Sequence, residues 1–294
     1  MNPEYLPFQD GRWDLKLGLK PLSLETWIDI DEQFGVELQL KQQLLNQRHG
    51  EVFVSLPESL SAQQEVLDLL VQHLLHYFPN HYRQRGNILD NLVTGEQWNL
   101  TAVEQPLDLA GRLVQEDLCL MQPDAETYCL SAASVCFPSR WDLRSKLGQE
   151  LTQIHQPVPG YGEKLARPVN SFFARLKPEY PGWRLNWSIV DAPELHLPPQ
   201  AVPALKPITA ANAGQSLWLR IERQTLRRLN SNAVLFTIRT YVHRLDHIIQ
   251  QQPDATQFAA QLASAVQQIP SDVQVYKSIA PFRAALLGYL AQLD

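Results

Sequence analysis

One histidine in the middle of the chain has the surroundings that a fixed metal ligand requires. His155 lies in the segment Ile154-His155-Gln156-Pro157-Val158-Pro159-Gly160-Tyr161. A helix predicted from Trp141 to about His155 ends here, because the residue before a proline avoids the α region. The prolines fix the exit of the chain and hold the imidazole at a defined angle, as axial ligation demands. A histidine near a helix C-terminus also favours the protonated form, which binds no metal, so a capping or core role stays open.

Two later segments concentrate arginine and glutamate beside aromatic side chains. Residues 217–223 alternate, which places Arg220 and Glu222 on one face of a predicted strand together with Trp218. A second strand is predicted over residues 233–240, and a short turn between the two indicates a hairpin. A face with these residues is either solvated or the wall of a pocket, and arginine suits bidentate pairing with a carboxylate. Cross-strand ion pairing is the structural alternative.

A third strand, predicted over residues 183–189, also alternates strictly. Tryptophan, leucine and isoleucine occupy one face, and Arg184, Asn186 and Ser188 occupy the other. The apolar face is predicted to be core. The polar face is interpreted either as the lining of a cavity or as a half-exposed strand surface.

The order of the elements predicts the fold class. Besides these strands, two more are predicted at residues 116–121 and 127–135, and the other predicted helices are at 61–78, 101–114, 258–269 and 279–290. Helices, then an antiparallel sheet, then helices indicate an α+β protein rather than a parallel doubly wound fold. The 21 prolines cluster between residues 157 and 207, which predicts that much of this stretch is loop.

Composition excludes several classes of function. The chain has 294 residues and a net charge of −6, which is not typical of proteins that bind nucleic acid. The start of the chain resembles no secretory signal, and no apolar stretch is long enough to span a bilayer, so a cytoplasmic protein with no membrane partner is expected. Cys119, Cys129 and Cys136 match no zinc or redox spacing and are expected to be free thiols. Glycine-rich nucleotide loops and the nucleophile elbow are absent from the sequence.

Three histidines near the end of the 61–78 helix faintly suggest a metal site. His73, His76 and His81 lie close in sequence but lack the glutamate of a His-Glu-x-x-His motif. A solvated helix face is the better interpretation.

Five segments in a fixed order resemble one known family, the haem-dependent oxidative N-demethylase α-subunit family. The segments are Val114-Gln115-Glu116-Asp117-Leu118, Cys136-Phe137-Pro138-Ser139, Ile154-His155-Gln156-Pro157-Val158-Pro159, Arg184-Leu185-Asn186-Trp187-Ser188 and Glu222-Arg223-Gln224-Thr225-Leu226. The resemblance extends from about Trp27 to the last predicted helix. Five ordered segments are far more specific than any one of them.

The resemblance implies a fold and a reaction. The expected fold is α+β with a PAS-like antiparallel sheet enclosed by N- and C-terminal helices. It forms a single domain over residues 1–294, with a PAS-like core at about 114–245 and flanking helical segments at 27–113 and 254–294. The implied cofactor is haem b, which oxidises a methyl group of a small secondary amine with dioxygen, so that the carbinolamine releases formaldehyde. Electrons are expected from a separate flavin and iron–sulfur reductase.

The resemblance also implies roles for individual residues. His155 is the expected axial ligand. Arg223 and Arg239, followed by Arg220, are expected to pair with haem propionates. Glu222 and Tyr161 are expected on the substrate side, because an ammonium group favours a carboxylate and an aromatic face.

Two other functions remain open on the sequence. One is a non-catalytic PAS-like sensor that binds haem or another small ligand, although such a sensor is expected to carry an output domain and none is predicted in these residues. The other is a family member that has lost haem and binds only a partner protein.

Overall fold

The computed structural model describes residues 5–125, 127–199 and 207–293, and they form an α+β protein, as predicted. Its strands are β1 (Lys20–Pro21), β2 (Phe53–Ser55), β3 (Tyr82–Arg85), β4 (Ile88–Asn91), β5 (Gln97–Asn99), β6 (Asp117–Asp124), β7 (Thr127–Ser134), β8 (Gly182–Val190), β9 (Trp218–Arg228) and β10 (Val234–Arg244). Its helices are α1 (Phe34–Gln47), α2 (His49–Val52), α3 (Leu60–Tyr77), α4 (Pro106–Leu113), α5 (Leu151–Ile154), α6 (Tyr161–Lys164), α7 (Ala166–Arg175), α8 (Ala213–Ser216), α9 (Leu245–Gln250), α10 (Ala255–Gln268), α11 (Ser271–Tyr276) and α12 (Arg283–Leu290). Short 3₁₀ turns cover Leu24–Thr26, Pro57–Ser59 and Leu143–Ser145.

Seven strands form one antiparallel sheet in the order β1-β8-β9-β10-β6-β7-β2. A separate small sheet contains β3, β4 and β5 in that order. The predicted hairpin is confirmed: β9 and β10 pair along their full length, from Val234 opposite Arg228 to Arg244 opposite Trp218. This long hairpin stands at the centre of the large sheet.

The large sheet has two faces that differ in their cover. The Arg239 face is defined here as the one that carries Ile221, Arg223 and Arg239, and the His155 face as the opposite one, which carries Arg184 and Glu222. Buried residues of α1, α3 and α4 pack on one part of the Arg239 face, and those of α9, α10 and α12 on another. The His155 face is covered by the segment that contains α5, α6 and α7.

The helix predicted from Trp141 to His155 is wrong. The chain instead forms the 3₁₀ turn Leu143–Ser145 and, after a break, the four-residue α5. Gly148 adopts a left-handed φ of 73° in the break, and Leu130 of β7 donates its backbone N–H to the carbonyl of Gln149. Pairing with the edge of β7 therefore replaces the helical hydrogen bonds that the apolar spacing suggested.

Three other predictions need adjustment. α3 begins at Leu60 with Ser59 as its N-cap residue, two positions before the predicted capping box. The helix predicted over 101–114 is confined to α4. The proline-rich stretch contains the ten-residue α7, which tolerates Pro168 because it lies in the first turn of the helix.

Candidate functional site

Strand register brings the polar side chains of β8 and β9 together on the His155 face. Arg184 lies opposite Gln224, Asn186 opposite Glu222, and Ser188 opposite Arg220. Paired residues in an antiparallel ladder project to the same side of the sheet. The two alternating patterns noted in the sequence therefore form one continuous polar surface.

His155 ends α5 above this face. Its Nδ1 lies 2.8 Å from the carbonyl oxygen of Leu151. A carbonyl only accepts hydrogen bonds, so the imidazole carries a proton on Nδ1. In the neutral ring, Nε2 then holds a free lone pair, and a hydrogen bond from Nδ1–H to a backbone carbonyl is the usual support of a metal-binding histidine.

The surroundings of His155 favour its neutral form. Burial lowers the pKa of the imidazole, the hydrogen bond to Leu151 opposes this change, and the positive charges of Lys146 and Arg184 lower the pKa further. The expectation that a helix C-terminus would hold the ring protonated is not met, because burial lowers the pKa of His155 more than the weak dipole of the four-residue α5 can raise it.

Tyr161 lies directly against His155. The two rings stack with their centroids 4.5 Å apart and an interplanar angle of 8°. Burial raises the pKa of Tyr161 to about 12, against the opposing charge of Arg184, so the phenol keeps its proton. Its buried hydroxyl has no hydrogen-bond partner among the described residues and is available as a donor to a bound molecule.

The carboxylate of Glu222 accepts hydrogen bonds from two polar side chains on the same face of the sheet. Its Oε2 accepts hydrogen bonds of 3.1 Å from Asn186 Nδ2 and of 3.1 Å from Gln224 Nε2. Its Oε1 lies 3.7 Å from Nε of Arg220, which is an ion-pair distance and too long for a hydrogen bond. This oxygen remains open to a further donor.

Lys277 joins the site from the end of α11, and the sequence did not point to it. Its Nζ donates to Asn186 Oδ1 at 3.2 Å and to the carbonyl of Trp187 at 2.6 Å. Burial lowers its pKa to about 8, with Glu222 opposing and Arg184 adding to the change. Asn186 thus connects Lys277 to Glu222 through the two ends of its amide.

Arg220 lies on the same face but is already occupied. It is 1% exposed, and its guanidinium donates to the carbonyl oxygens of Leu195 at 3.1 Å and Phe137 at 2.6 Å. These bonds tie two loops to the centre of the sheet. Its expected pairing with a propionate stays a prediction.

Arg223 and Arg239 project from the opposite face and are not brought together with His155. Arg223 donates to the backbone carbonyls of Thr26 and Trp27. Arg239 donates to the carboxylates of Asp31 and Glu37, each at 2.7 Å. Their pairing with propionates also stays a prediction, and this placement gives it no support.

The remaining candidate ligands are buried in other surroundings. His73 lies edge-on to Trp27 at 5.0 Å, and burial lowers its pKa to about 4. Burial raises the pKa of the Cys136 thiol to about 12, so this thiol carries its proton at neutral pH. Within the described ranges, no group of three or more His, Cys, Asp or Glu side chains is arranged to hold a metal ion.

A depression of about 330 Å³ opens beside the His155 segment. Its lining comprises Thr152, Gln156, Val158, Pro159, Gly160, Tyr161, Gly162 and Glu163. Tyr161 thus borders this opening on one side and the imidazole of His155 on the other.

Comparison with protein families identifies a family that the chain matches over most of its length. A family model described as "Haem-dependent oxidative N-demethylase, alpha subunit-like" matches residues 18–287, which is most of the chain. The match includes all the residues of the site described above. In the part of the chain that the structure describes, no helix is both long and apolar enough to cross a membrane.

Proposed function

The chain belongs to the haem-dependent oxidative N-demethylase, alpha subunit-like family, and from this we propose that it binds haem through His155 and oxidatively demethylates a small secondary amine. The observation that carries the proposal is the hydrogen bond from His155 Nδ1 to the carbonyl of Leu151, which leaves Nε2 free for iron. The lowered pKa of the ring supports the same role, since only neutral imidazole ligates metal.

The residues of the His155 face fit the proposed cofactor and substrate. When bound, haem supplies the activation of dioxygen and the oxidation of the N-methyl carbon, and formaldehyde and the shorter amine are the products. Glu222 attracts the ammonium form of the amine through the open side of its carboxylate, while Asn186 and Gln224 fix its orientation. Tyr161, which lines the depression beside the His155 segment, offers an aromatic ring and a hydroxyl that has no partner among the described residues.

The fold supports the finer parts of this proposal. Across the sheet, the five central strands lie in the order β7, β6, β10, β9, β8, which is 2-1-5-4-3 when they are numbered along the chain. Helices α5 to α7 lie in the connection between β7 and β8. This order is typical of PAS-like sheets, and we propose a PAS-like core at about residues 114–245 within a single domain. Haem b is the proposed form of the cofactor. The family description names an alpha subunit, which fits a separate flavin and iron–sulfur reductase as electron donor.

Haem titration of the purified protein tests the proposal. We expect a Soret band for the wild type and at least a tenfold loss of haem affinity for His155→Ala, because the ligand is removed. His76→Ala is the control, since this exposed histidine lies on α3 on the other side of the sheet. No Soret band in the wild type would reject haem binding. A haem spectrum that is unchanged in His155→Ala would reject His155 as the ligand.

The pH dependence of haem binding gives a second test. The pKa of His155 lies below its ordinary value of 6.5, so the neutral ring persists to a lower pH than an ordinary imidazole does. We therefore expect haem affinity to stay constant from pH 8 to pH 6.5 and to decrease only at lower pH. A decrease in haem affinity centred at or above pH 6.5 would contradict ligation by a buried, neutral imidazole.

Product analysis separates the enzyme from a sensor. With haem, dioxygen, an added reductant and small N-methyl amines, we expect formaldehyde release that falls in Glu222→Gln. Stable haem binding without formaldehyde from any such amine would favour the non-catalytic sensor.

A further inference from the structure

Arg184 is the one cation of the site cluster, formed with Arg220 and Lys277, for which no acceptor is found among the described residues. Its Nε is buried without a hydrogen-bond partner. The other two cations of the cluster are occupied: Arg220 by two carbonyls, and Lys277 by Asn186 and a carbonyl. A buried N–H group without an acceptor is costly, so its retention needs an explanation beyond stability.

The neighbours of Arg184 do not supply that acceptor. Glu222 is close enough for its charge to raise the pKa of Arg184 against the larger lowering by burial. The carboxylate is, however, engaged by Asn186 and Gln224 and lies nearest to Arg220 among the cations. All three cations thus depend on the charge of Glu222, and only Arg220 has a second carboxylate, Asp117, close enough to raise its pKa.

Arg184, the cation without an acceptor, lies near the proposed ligand site. Its charge is close enough to lower the pKa of both His155 and Tyr161, whose rings cover the same face of the sheet. It projects from β8 on the face that carries Glu222. A molecule that contacts His155 and Glu222 would therefore also reach Arg184.

We propose that Arg184 binds a carboxylate group of the molecule that lies against the His155 face, with Lys277 as a second cation nearby. The proposal deepens the proposed function and rests on it for the identity of the occupant. The planar guanidinium can donate from Nε and one Nη to both oxygens of a carboxylate, and lysine cannot reproduce this geometry. Two sources offer this chemistry: a propionate of haem, or the carboxylate of a substrate such as an N-methyl amino acid.

Two variants and one control test the binding of the carboxylate. Arg184→Gln removes the charge, and Arg184→Lys keeps it but removes the bidentate geometry. Arg227→Gln is the matched control, because Arg227 is a half-buried arginine on the Arg239 face that stacks on Trp27 at 4.5 Å. Since Arg184 has no hydrogen-bond partner at Nε, we expect Arg184→Gln to fold as stably as the wild type.

The first arm compares the affinity of the protein for haem with its affinity for haem dimethyl ester, whose propionates are blocked as esters. If a propionate is bound, the wild type prefers free haem by at least tenfold, Arg184→Gln loses the preference, and Arg184→Lys retains part of it. The second arm titrates N-methylglycine against dimethylamine, by spectral shift in haem-loaded protein and by calorimetry in haem-free protein. If a substrate carboxylate is bound, Arg184→Gln lowers the affinity for N-methylglycine at least tenfold and leaves the affinity for dimethylamine unchanged.

The outcomes separate this proposal from the proposed function. A change of less than twofold in both arms overturns the role of Arg184, even when haem binds normally. If the wild type binds no haem, the proposed function fails, and the calorimetric titration alone decides: binding of N-methylglycine that is lost in Arg184→Gln supports the role of Arg184, and no binding overturns it.

Discussion

Arg184 and Arg239 lie on the two strands that flank β9, but they project from opposite faces of the sheet. Arg239 is fully buried and holds two carboxylates and a carbonyl through its Nη groups. Arg184 is half-buried, and in the described ranges no hydrogen bond or ion pair of its guanidinium is found; its Nε is buried without a partner, as is the Nε of Arg239. The comparison teaches that a buried charge indicates a binding site only when its partners are missing, because a paired charge is explained by the fold itself.

The largest expected difference between the faces is in stability. Arg239→Leu leaves the buried Glu37 and the partly exposed Asp31 without their cation, and we expect it to lower the free energy of unfolding by about 3–5 kcal/mol. Arg184→Leu removes an unpartnered charge, so the haem-free protein should lose less than about 1 kcal/mol. Urea unfolding of both variants measures the difference. Equal losses would remove the distinction between the faces.

Two tyrosines, one on each face, should differ in the same way but by a smaller amount of stability. Tyr241 donates to the carboxylate of Asp29 on the Arg239 face, and Tyr241→Phe should cost about 1.5–3 kcal/mol. The hydroxyl of Tyr161 has no partner among the described residues, so Tyr161→Phe should change the stability of the haem-free protein by less than about 0.5 kcal/mol. A large loss for Tyr161→Phe would mean that its hydroxyl has a structural role.

The smallest expected effect concerns Lys277 and depends on pH. Its folded pKa is about 8, below the ordinary value of 10.5, so between these values the unfolded chain binds more protons and stability rises with pH. Lys277→Met lacks this titration. The stability of the wild type relative to the variant should therefore increase by about 1–2 kcal/mol between pH 8 and pH 9.5. Chemical denaturation of both proteins across this range checks the sign, and a constant difference would contradict the burial of the ammonium group.

Local patterns predicted the strands of the site well. The strand expected at residues 183–189 is β8, and the alternation along it correctly separates the apolar face from Arg184 and Asn186. Prediction failed where local and long-range pairing compete. The apolar spacing before His155 suits a helix, but Gly148 and the edge of β7 stop it from forming.

The sequence by itself determined the α+β class, the two alternating strands and His155, which is followed by two prolines, as a candidate metal ligand. Periodicity assigns side chains to the faces of one strand, but it cannot say which strands are neighbours or what covers each face. Only the tertiary structure separated Arg223 and Arg239 from His155, because it supplied their carbonyl and carboxylate partners. It also brought Lys277 to Glu222 through Asn186, a contact between distant parts of the chain that no local pattern encodes.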